Sequence, residues 1–552
     1  GMYYCYGNGG DNVASAKLTI NGGTFNAKGS NGVAAIFNYG TAEVNAGTFT
    51  SIGGYSLNNQ AGASMTIAAG VTANNGIYAS NATLVVNGGE INGNRSGCHV
   101  LYAWNSNVTI AGGTFHNNNS GNSTTMAGGT TKLTINGGTF SIANGKSTTG
   151  WTSCLIDATD GGKYEINGGE FKGHFRVQAN CAMEINGGTF ENTHGEAYAI
   201  YGTAVVKGGT FTDDTAKAFA TNNLADGYEV DENGTVAAKP VAKIGETTYA
   251  TLADAVAAAQ AGDEIVLIAD VETTDGVVIT DKNLTIDLNG KTYTVTEGAS
   301  TNNRNFKING TSVVTVKNGT MVAAGEYSSG AYGTIRTEGT ANVTLTDLKL
   351  YNYRGNGLNI KARTGTTVTV ENTEIYANYG GGIEADGGTI VINDGVTVKQ
   401  EGMYTAPYNS MAISVNGGGK VTVNGGTFST ECITAEEANN QGTSHGPWVA
   451  GVLNSGGTLI INGGTFSNDN FGENALATAA RGAILADTKA KVEINGGTFN
   501  VLKNVIDIQN NLGDANNNPS VVLSGGTYNA DPRVSAQYGS NLITLADGYV
   551  AV

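Results

Sequence analysis

An eight-residue phrase recurs along this chain and constrains its fold more than any other feature. It reads Leu18-Thr-Ile-Asn-Gly-Gly-Thr-Phe25, then Val108–Phe115 and Leu133–Phe140, with variants ending at Phe171, Phe190 and Phe211. A weaker copy ends at Phe49. The phrase lapses after Phe211 and returns at Val421–Phe428, Leu459–Phe466, Val492–Phe499 and Val521–Tyr528. Relaxed versions such as Leu284-Thr-Ile-Asp-Leu-Asn-Gly290 and Val314-Thr-Val-Lys-Asn-Gly319 lie between. In the first array the second glycine recurs every 19 to 31 residues. Unequal steps around a common mean fit stacked repeats that carry loops of different length at one corner.

Leu18 and Ile20 alternate with Thr19, the period-two pattern of a strand with one buried face. Asn21-Gly22-Gly23 then supplies the positive φ that a sharp bend requires. Phe25 returns to the interior, and the threonine before it faces solvent. Ten of the fifteen phenylalanines occupy this one position, so stacked repeats would carry an internal column of rings. A second strand precedes many phrases, as in Val33–Phe37, Cys98–Tyr102, Tyr198–Tyr201, Leu358–Ile360 and Val505–Ile508. Two or three short strands per repeat, all running the same way, describe an all-β fold: a right-handed single-stranded parallel β-helix, or solenoid.

Composition agrees. Of 552 residues 83 are glycine and only 5 proline, without the every-third-residue period of collagen. A 40% hydrophobic content excludes a flexible glycine linker and charge-driven disorder. The net charge of −17 argues against nucleic acid as a partner, since phosphate recognition needs a basic excess. The five cysteines, Cys5, Cys98, Cys154, Cys181 and Cys432, show no disulfide or zinc spacing and read as free thiols. No apolar run is long enough to span a membrane.

Residues 213–249 break the repeat. Thr251–Gly262 then reads as a short amphipathic helix over 251–261, with Thr251 as N-cap, Gly262 as stop, and Leu252, Ala255, Val256 and Ala259 as its apolar face. Such a helix would cover the open end of a stack. It is the only helix expected. Both arrays end alike, in Leu224-Ala-Asp-Gly-Tyr228 and Leu545-Ala-Asp-Gly-Tyr549. The chain therefore reads as two tandem modules, 1–238 and 239–552. The first lacks a capping helix at its start, which implies that the native protein extends before residue 1.

Ile244-Gly-Glu-Thr-Thr-Tyr-Ala-Thr-Leu-Ala-Asp-Ala-Val256 and Leu284–Thr292, with the Asn-Gly-Gly-Thr-Phe repeats and the Ala-Asp-Gly-Tyr endings, carry a resemblance. The chain resembles the pectin-lyase-like right-handed β-helix modules of large adhesin-like surface proteins from gut bacteria. The resemblance spans nearly the whole chain and implies an extracellular or cell-surface bacterial location. Relatives of this fold include polysaccharide lyases and hydrolases, so the fold alone assigns no activity.

The residues that polygalacturonase-like members use are poorly matched. Asn372-Thr-Glu374 has the wrong acid, Asp213-Asp214 lies at the end of an array, and Asn359-Ile-Lys361 lacks an arginine. Glu384 and Asp386 stand two apart on one strand and read as a solvated outer face rather than a catalytic pair. No catalytic set, metal site or cofactor is expected. Ice binding by threonine ladders needs repeats of equal length, and Asp226, Glu229, Asp231 and Glu232 read as a solvated module end rather than a calcium site.

Tyrosine is the distinctive surface feature. Residues 325–408 hold Tyr327, Tyr332, Tyr351, Tyr353, Tyr376, Tyr379, Tyr404 and Tyr408, a third of the 24 in the chain. Aromatic faces stack on sugar rings, and nearby charges bind hydroxyl or acidic groups. The ligand-binding candidates are Tyr351, Tyr353, Arg354, Lys361, Tyr376, Tyr379, Glu384, Asp386 and Trp448, the last in a loop, 431–456, that would wall a groove. The competing reading places several of these tyrosines in repeat corners. The expectation is a monomeric, non-catalytic adhesin-like protein whose partner is a polysaccharide or a host or bacterial surface glycan. The alternative is a polysaccharide lyase or glycoside hydrolase acting on an acidic or host or plant glycan.

Overall fold

The computed structural model describes residues 16–29, 32–119, 122–143, 154–296, 304–324, 333–353, 358–378, 381–401, 411–431, 448–453, 456–468, 482–501, 504–509, 515–535 and 539–550, with the backbone of 3–5. The chain divides into two compact units, Gly1–Lys239 and Pro240–Val552. Both are mostly β, with long parallel sheets, and no described helix is long and apolar enough to cross a membrane.

Most repeats contribute three short strands, although in Lys17–Ala27, Thr41–Ser51, Val313–Ala323 and Asn342–Asn352 two of them merge into one, and successive repeats pair strand to strand. Val108, Leu133, Tyr164, Met183 and Ala204 stand opposite one another in successive repeats. So do Phe115, Phe140, Phe171, Phe190 and Phe211. A separate nine-stranded sheet aligns Ile77, Leu101, Thr125, Ile156 and Phe175. All these pairings are parallel. The second unit repeats the plan, with its own nine-stranded sheet from Val277–Thr280 to Ile506–Ile508.

In-register pairing fixes the packing. Phe115, Phe140, Phe171 and Phe190 stack with centroids 4.9 Å apart and planes within 9° of parallel. The strand spacing sets that distance. Phe428, Phe466, Phe499 and Tyr528 form the same column in the second unit. Gly138 shows why the corner demands glycine. Its φ is +106°, and a Cβ there would lie 2.8 Å from the Gly113 carbonyl oxygen of the preceding repeat. The asparagines before several of the glycine pairs bond to one another along the stack. Asn167 Nδ2 donates to Asn136 Oδ1 at 2.9 Å and Asn186 Nδ2 to Asn167 Oδ1 at 3.0 Å. Asn424, Asn462 and Asn495 continue the pattern in the second unit.

The helix expected over 251–261 is Leu252–Ala258, capped by the Thr251 hydroxyl, which accepts from Asp254 N at 3.0 Å. It stops early because Ala259 is extended and Gln260 N–H donates to Asp263 Oδ2. A second helix, Asp214–Asn222, was not expected. Asp213 caps it, accepting from Thr215 N and Ala216 N, while Ala216, Phe219 and Ala220 face the core. The Asp213-Asp214 pair is therefore a helix start. Cys98, Cys154 and Cys181 are buried thiols outside any disulfide. Cys432 lies outside the described residues.

Phe140→Ala opens a cavity in a column with no solvent access and should cost the first unit about 3–5 kcal/mol. Thr139→Ala beside it should cost under about 0.5 kcal/mol. Denaturant titration followed in the first unit checks both, and equal effects would contradict the stacked column.

Candidate functional site

The strand Asn342–Asn352 alternates, so Leu348 and Leu350 point inward while Lys349 and Tyr351 point outward. Register places Tyr351 opposite Tyr376, and Tyr376 opposite Lys399. The Tyr351 and Tyr353 rings lie 6.1 Å apart and within 11° of parallel. Tyr376 sits 5.6 Å from Tyr353, tilted by 48°. The hydroxyls are anchored. Tyr351 Oη donates to Glu374 Oε1 at 3.0 Å and Tyr376 Oη to Glu401 Oε2 at 2.7 Å. Burial pushes Glu401 upward, but the ion pair with Lys399 and the Tyr376 hydroxyl outweigh it and hold the carboxyl below its ordinary value. Burial, then Glu374, pushes the Tyr351 phenol up. With the Tyr351 and Tyr376 hydroxyls tied down, this cluster offers ring surface, and Tyr353 is 46% exposed.

Lys361, Glu384 and Asp386 lie elsewhere, on the outer face of the nine-stranded sheet. Lys361 Nζ is 2.8 Å from Glu384 Oε1 and 3.1 Å from Asp386 Oδ2, and Arg363 Nη1 is 2.6 Å from Asp386 Oδ2. The expectation of a solvated carboxylate pair is corrected: Glu384 is only 2% exposed, and each acid is held by a cation. Lys307, Arg336 and Lys361 stand opposite one another in successive repeats. Glu338 pairs with Lys307 and Arg336. Burial pushes Glu338 upward, but Lys307 and Arg336 outweigh it, and its carboxyl stays below the ordinary value.

The nine candidates are thus not one site. Tyr351, Tyr353 and Tyr376 share one sheet; Lys361, Glu384 and Asp386 share another. Arg354 and Tyr379 lie outside the described residues, as do Tyr327, Tyr332, Tyr404 and Tyr408. Trp448 requires a correction. It is fully buried with Met411, Leu453 and Leu485, and its Nε1–H donates to the buried Asp507 Oδ2 at 3.0 Å. A side chain spent on covering an acid inside a small core cannot stack on a ligand from a groove wall.

The first unit holds an aromatic row absent from the sequence-based candidates. Tyr78 and Tyr102 stand opposite each other, with centroids 4.8 Å apart and planes within 6°. Tyr55 lies 5.4 Å from Tyr78, and Trp104 6.5 Å from Tyr102. Trp104 lies over Gly128 of the next repeat, where a Cβ would come within 2.5 Å of the indole carbons. Beside the row Asp157 is buried, held by Arg176 Nε at 2.8 Å and by Ser123 Oγ at 3.2 Å. His99 Nδ1 accepts from Ser123 N at 3.2 Å. Burial lowers the imidazole to about 4 against the opposing pull of Asp157. The outward positions of Cys98–Tyr102 carry part of the signal, but Tyr78 and Tyr102 are joined only by register across a repeat.

No family model matches this chain, and no curated protein matches it.

These geometries predict two outcomes. Lys361→Met leaves Glu384 buried without its closest cation and should destabilise the second unit by about 2–3 kcal/mol, less than a fully buried pair because Lys361 is partly solvated. Adding Glu384→Gln should restore at least half; a double-mutant cycle in denaturant measures this. For His99, the folded value of about 4 lies below the unfolded 6.5, so its neutral form is favoured by folding. Its contribution is complete above pH 6.5 and declines as pH falls towards 4. Between pH 7 and about pH 4.5 the first unit should lose about 2–3 kcal/mol more than a His99→Gln variant, measured by paired unfolding curves.

Proposed function

We propose that this protein is an adhesin-like, extracellular or cell-surface module that binds glycans without cleaving them. We further propose that it is built as two right-handed parallel β-helices of the pectin-lyase-like kind. Up to three in-register parallel strands per repeat, a positive-φ glycine at one corner and an internal ring column support the β-helix reading. The resemblance of its repeats and module endings to surface proteins of gut bacteria supports the location. The protein acts as a monomer in this reading.

The observation that carries glycan binding is the tyrosine cluster of the second unit. Three rings lie within 6.1 Å of one another, with the hydroxyls of Tyr351 and Tyr376 tied to carboxylates and the Tyr353 ring open. Fixed rings stack on a pyranose at little entropic cost, since the side chains are already ordered. A second reading, a lyase or hydrolase acting on an acidic glycan, is favoured by the in-register cations Lys307, Arg336 and Lys361 beside the buried Glu384.

A polysaccharide screen that reads both binding and product release separates the two. Retention of a polysaccharide without new reducing ends or unsaturated products is expected. Tyr353→Ala should weaken binding about three- to tenfold, the worth of one aromatic contact. Unchanged affinity in Tyr353→Ala and Tyr351→Ala would remove the tyrosine cluster from the reading, and released products would replace adhesion with catalysis.

A further inference from the structure

The tyrosine cluster of the second unit continues into a polar cleft. On the strand Asn342–Asn352 the outward residue before Tyr351 is Lys349. Register sets Lys349, Glu374 and Thr397 opposite one another, one strand apart, and all three are exposed. Two residues earlier in each repeat the chain turns through Asp347 at φ +54°, Asn372 at +43° and Gly395 at +75°. Short polar side chains tolerate this left-handed region, so the corner can carry an acid and an amide. These six residues line a cleft of about 360 Å³. Glu374 belongs to both features, because its Oε1 accepts from Tyr351 Oη at 3.0 Å.

The atoms facing the cleft are mostly acceptors. Asp347 Oδ2 accepts from Thr346 Oγ1 at 3.0 Å, which leaves Oδ1 to a ligand. Lys349 Nζ stands 3.8 Å from Glu374 Oε2, too far for a hydrogen bond. Among the described residues the Asn372 side-chain amide and the Thr397 hydroxyl have no hydrogen-bond partner. Two carboxylates against one ammonium leave the cleft with a negative charge. A ligand that fits must therefore donate, and sugar hydroxyls donate to carboxylates in short, charge-assisted bonds. An ionised carboxylate or sulfate only accepts, and would meet Asp347 and Glu374 as a like charge.

We infer that this cleft is the hydroxyl-reading half of the glycan site and that it selects uncharged sugars over acidic ones. A pyranose with vicinal hydroxyls seats against Asp347, Asn372, Glu374 and Thr397, while another ring of the same chain stacks on Tyr353. The inference rests on the glycan-binding function proposed above and adds which glycans that site takes. Asp347, Asn372 and Thr397 become specificity-determining residues, although none of them is aromatic and none stands out in the sequence.

The test immobilises neutral polymers (glucan, galactan, mannan and xylan) and acidic ones (polygalacturonate, alginate and heparin) and measures retention of the full-length protein in low-salt buffer, where exposed charges are least screened. Neutral polymer should be retained, with acidic polymers at least about tenfold weaker. Asp347→Asn keeps a residue that tolerates the left-handed turn but removes the charge. It should weaken binding to the retained neutral polymer about three- to tenfold, the difference between a charged and a neutral acceptor, with the unfolding midpoint unchanged. Acidic polymers retained as tightly as neutral ones, and released in Tyr353→Ala, overturn this inference while glycan binding at the tyrosine cluster stands. So does neutral-polymer binding that Tyr353→Ala weakens and Asp347→Asn leaves unchanged, because the ligand then bypasses the cleft. Retention of no polymer overturns both this inference and the proposed function.

Discussion

Everything in this protein depends on keeping successive repeats in register through parallel main-chain pairing, and the glycine corner is what permits it. A residue such as Gly138 must turn at φ +106° while the carbonyl of Gly113 sits where a Cβ would be. With the corner closed to side chains, neighbouring repeats approach to strand spacing on every face. The ring column, the asparagine ladder and the alternating aliphatic rows are consequences of that approach, since each places identical groups one strand apart. Stacked rings and amides gain from such proximity, whereas like charges lose.

That loss explains how charge is arranged. Lys132 stands opposite Lys163, and Glu165 opposite Glu184, so register alone would set like charges side by side. The structure resolves this diagonally: Lys132 reaches Glu165 at 2.7 Å, and Lys207 reaches Glu184 at 3.0 Å. These pairs are largely exposed and contribute little stability each. Their main effect is to relieve repulsion that the fold imposes. The row Lys307, Arg336 and Lys361 is the sharper case, because three cations in line need Glu338, Glu384 and Asp386 around them. A 14% charged composition is therefore what in-register stacking tolerates, with threonine and asparagine taking the outer positions instead.

The parts legible in the sequence are those that recur. Phe115, Phe140 and Phe171 announce their shared role by position in the phrase, and Thr251 by its place before an amphipathic run. The helix Asp214–Asn222 escapes the sequence pattern because it occurs once, where the repeat breaks, and its inward face is only Ala216, Phe219 and Ala220. Its cap, Asp213, invites comparison with a catalytic acid pair instead. Trp448 is misplaced by sequence alone because its burial depends on Asp507, 59 positions away. The aromatic row of Tyr78, Tyr102 and Trp104 escapes notice because its members meet only through register. Counting tyrosines along the chain finds clusters in sequence; the outward rows of a stacked sheet must be read across repeats.

A stack held by parallel pairing also has a problem at its ends, because each terminal strand offers the same free groups that its neighbours used. The two closed ends share one solution. Thr235–Val236 runs antiparallel against the last ring strand of the first unit, and Ala242–Ile244 runs antiparallel against Ile265–Leu267 at the start of the second. An antiparallel strand satisfies the edge but cannot present the spacing and direction that a further parallel repeat requires. Among the described residues, Asp214–Asn222 packs beside Gly209–Phe211 and Tyr228–Val230, and Leu252–Ala258 beside Ala242–Ile244, each covering apolar side chains that main-chain pairing leaves open. Reversal of strand direction is thus the feature that terminates the repeat at both of these ends, because an antiparallel strand leaves no edge on which another parallel repeat can continue.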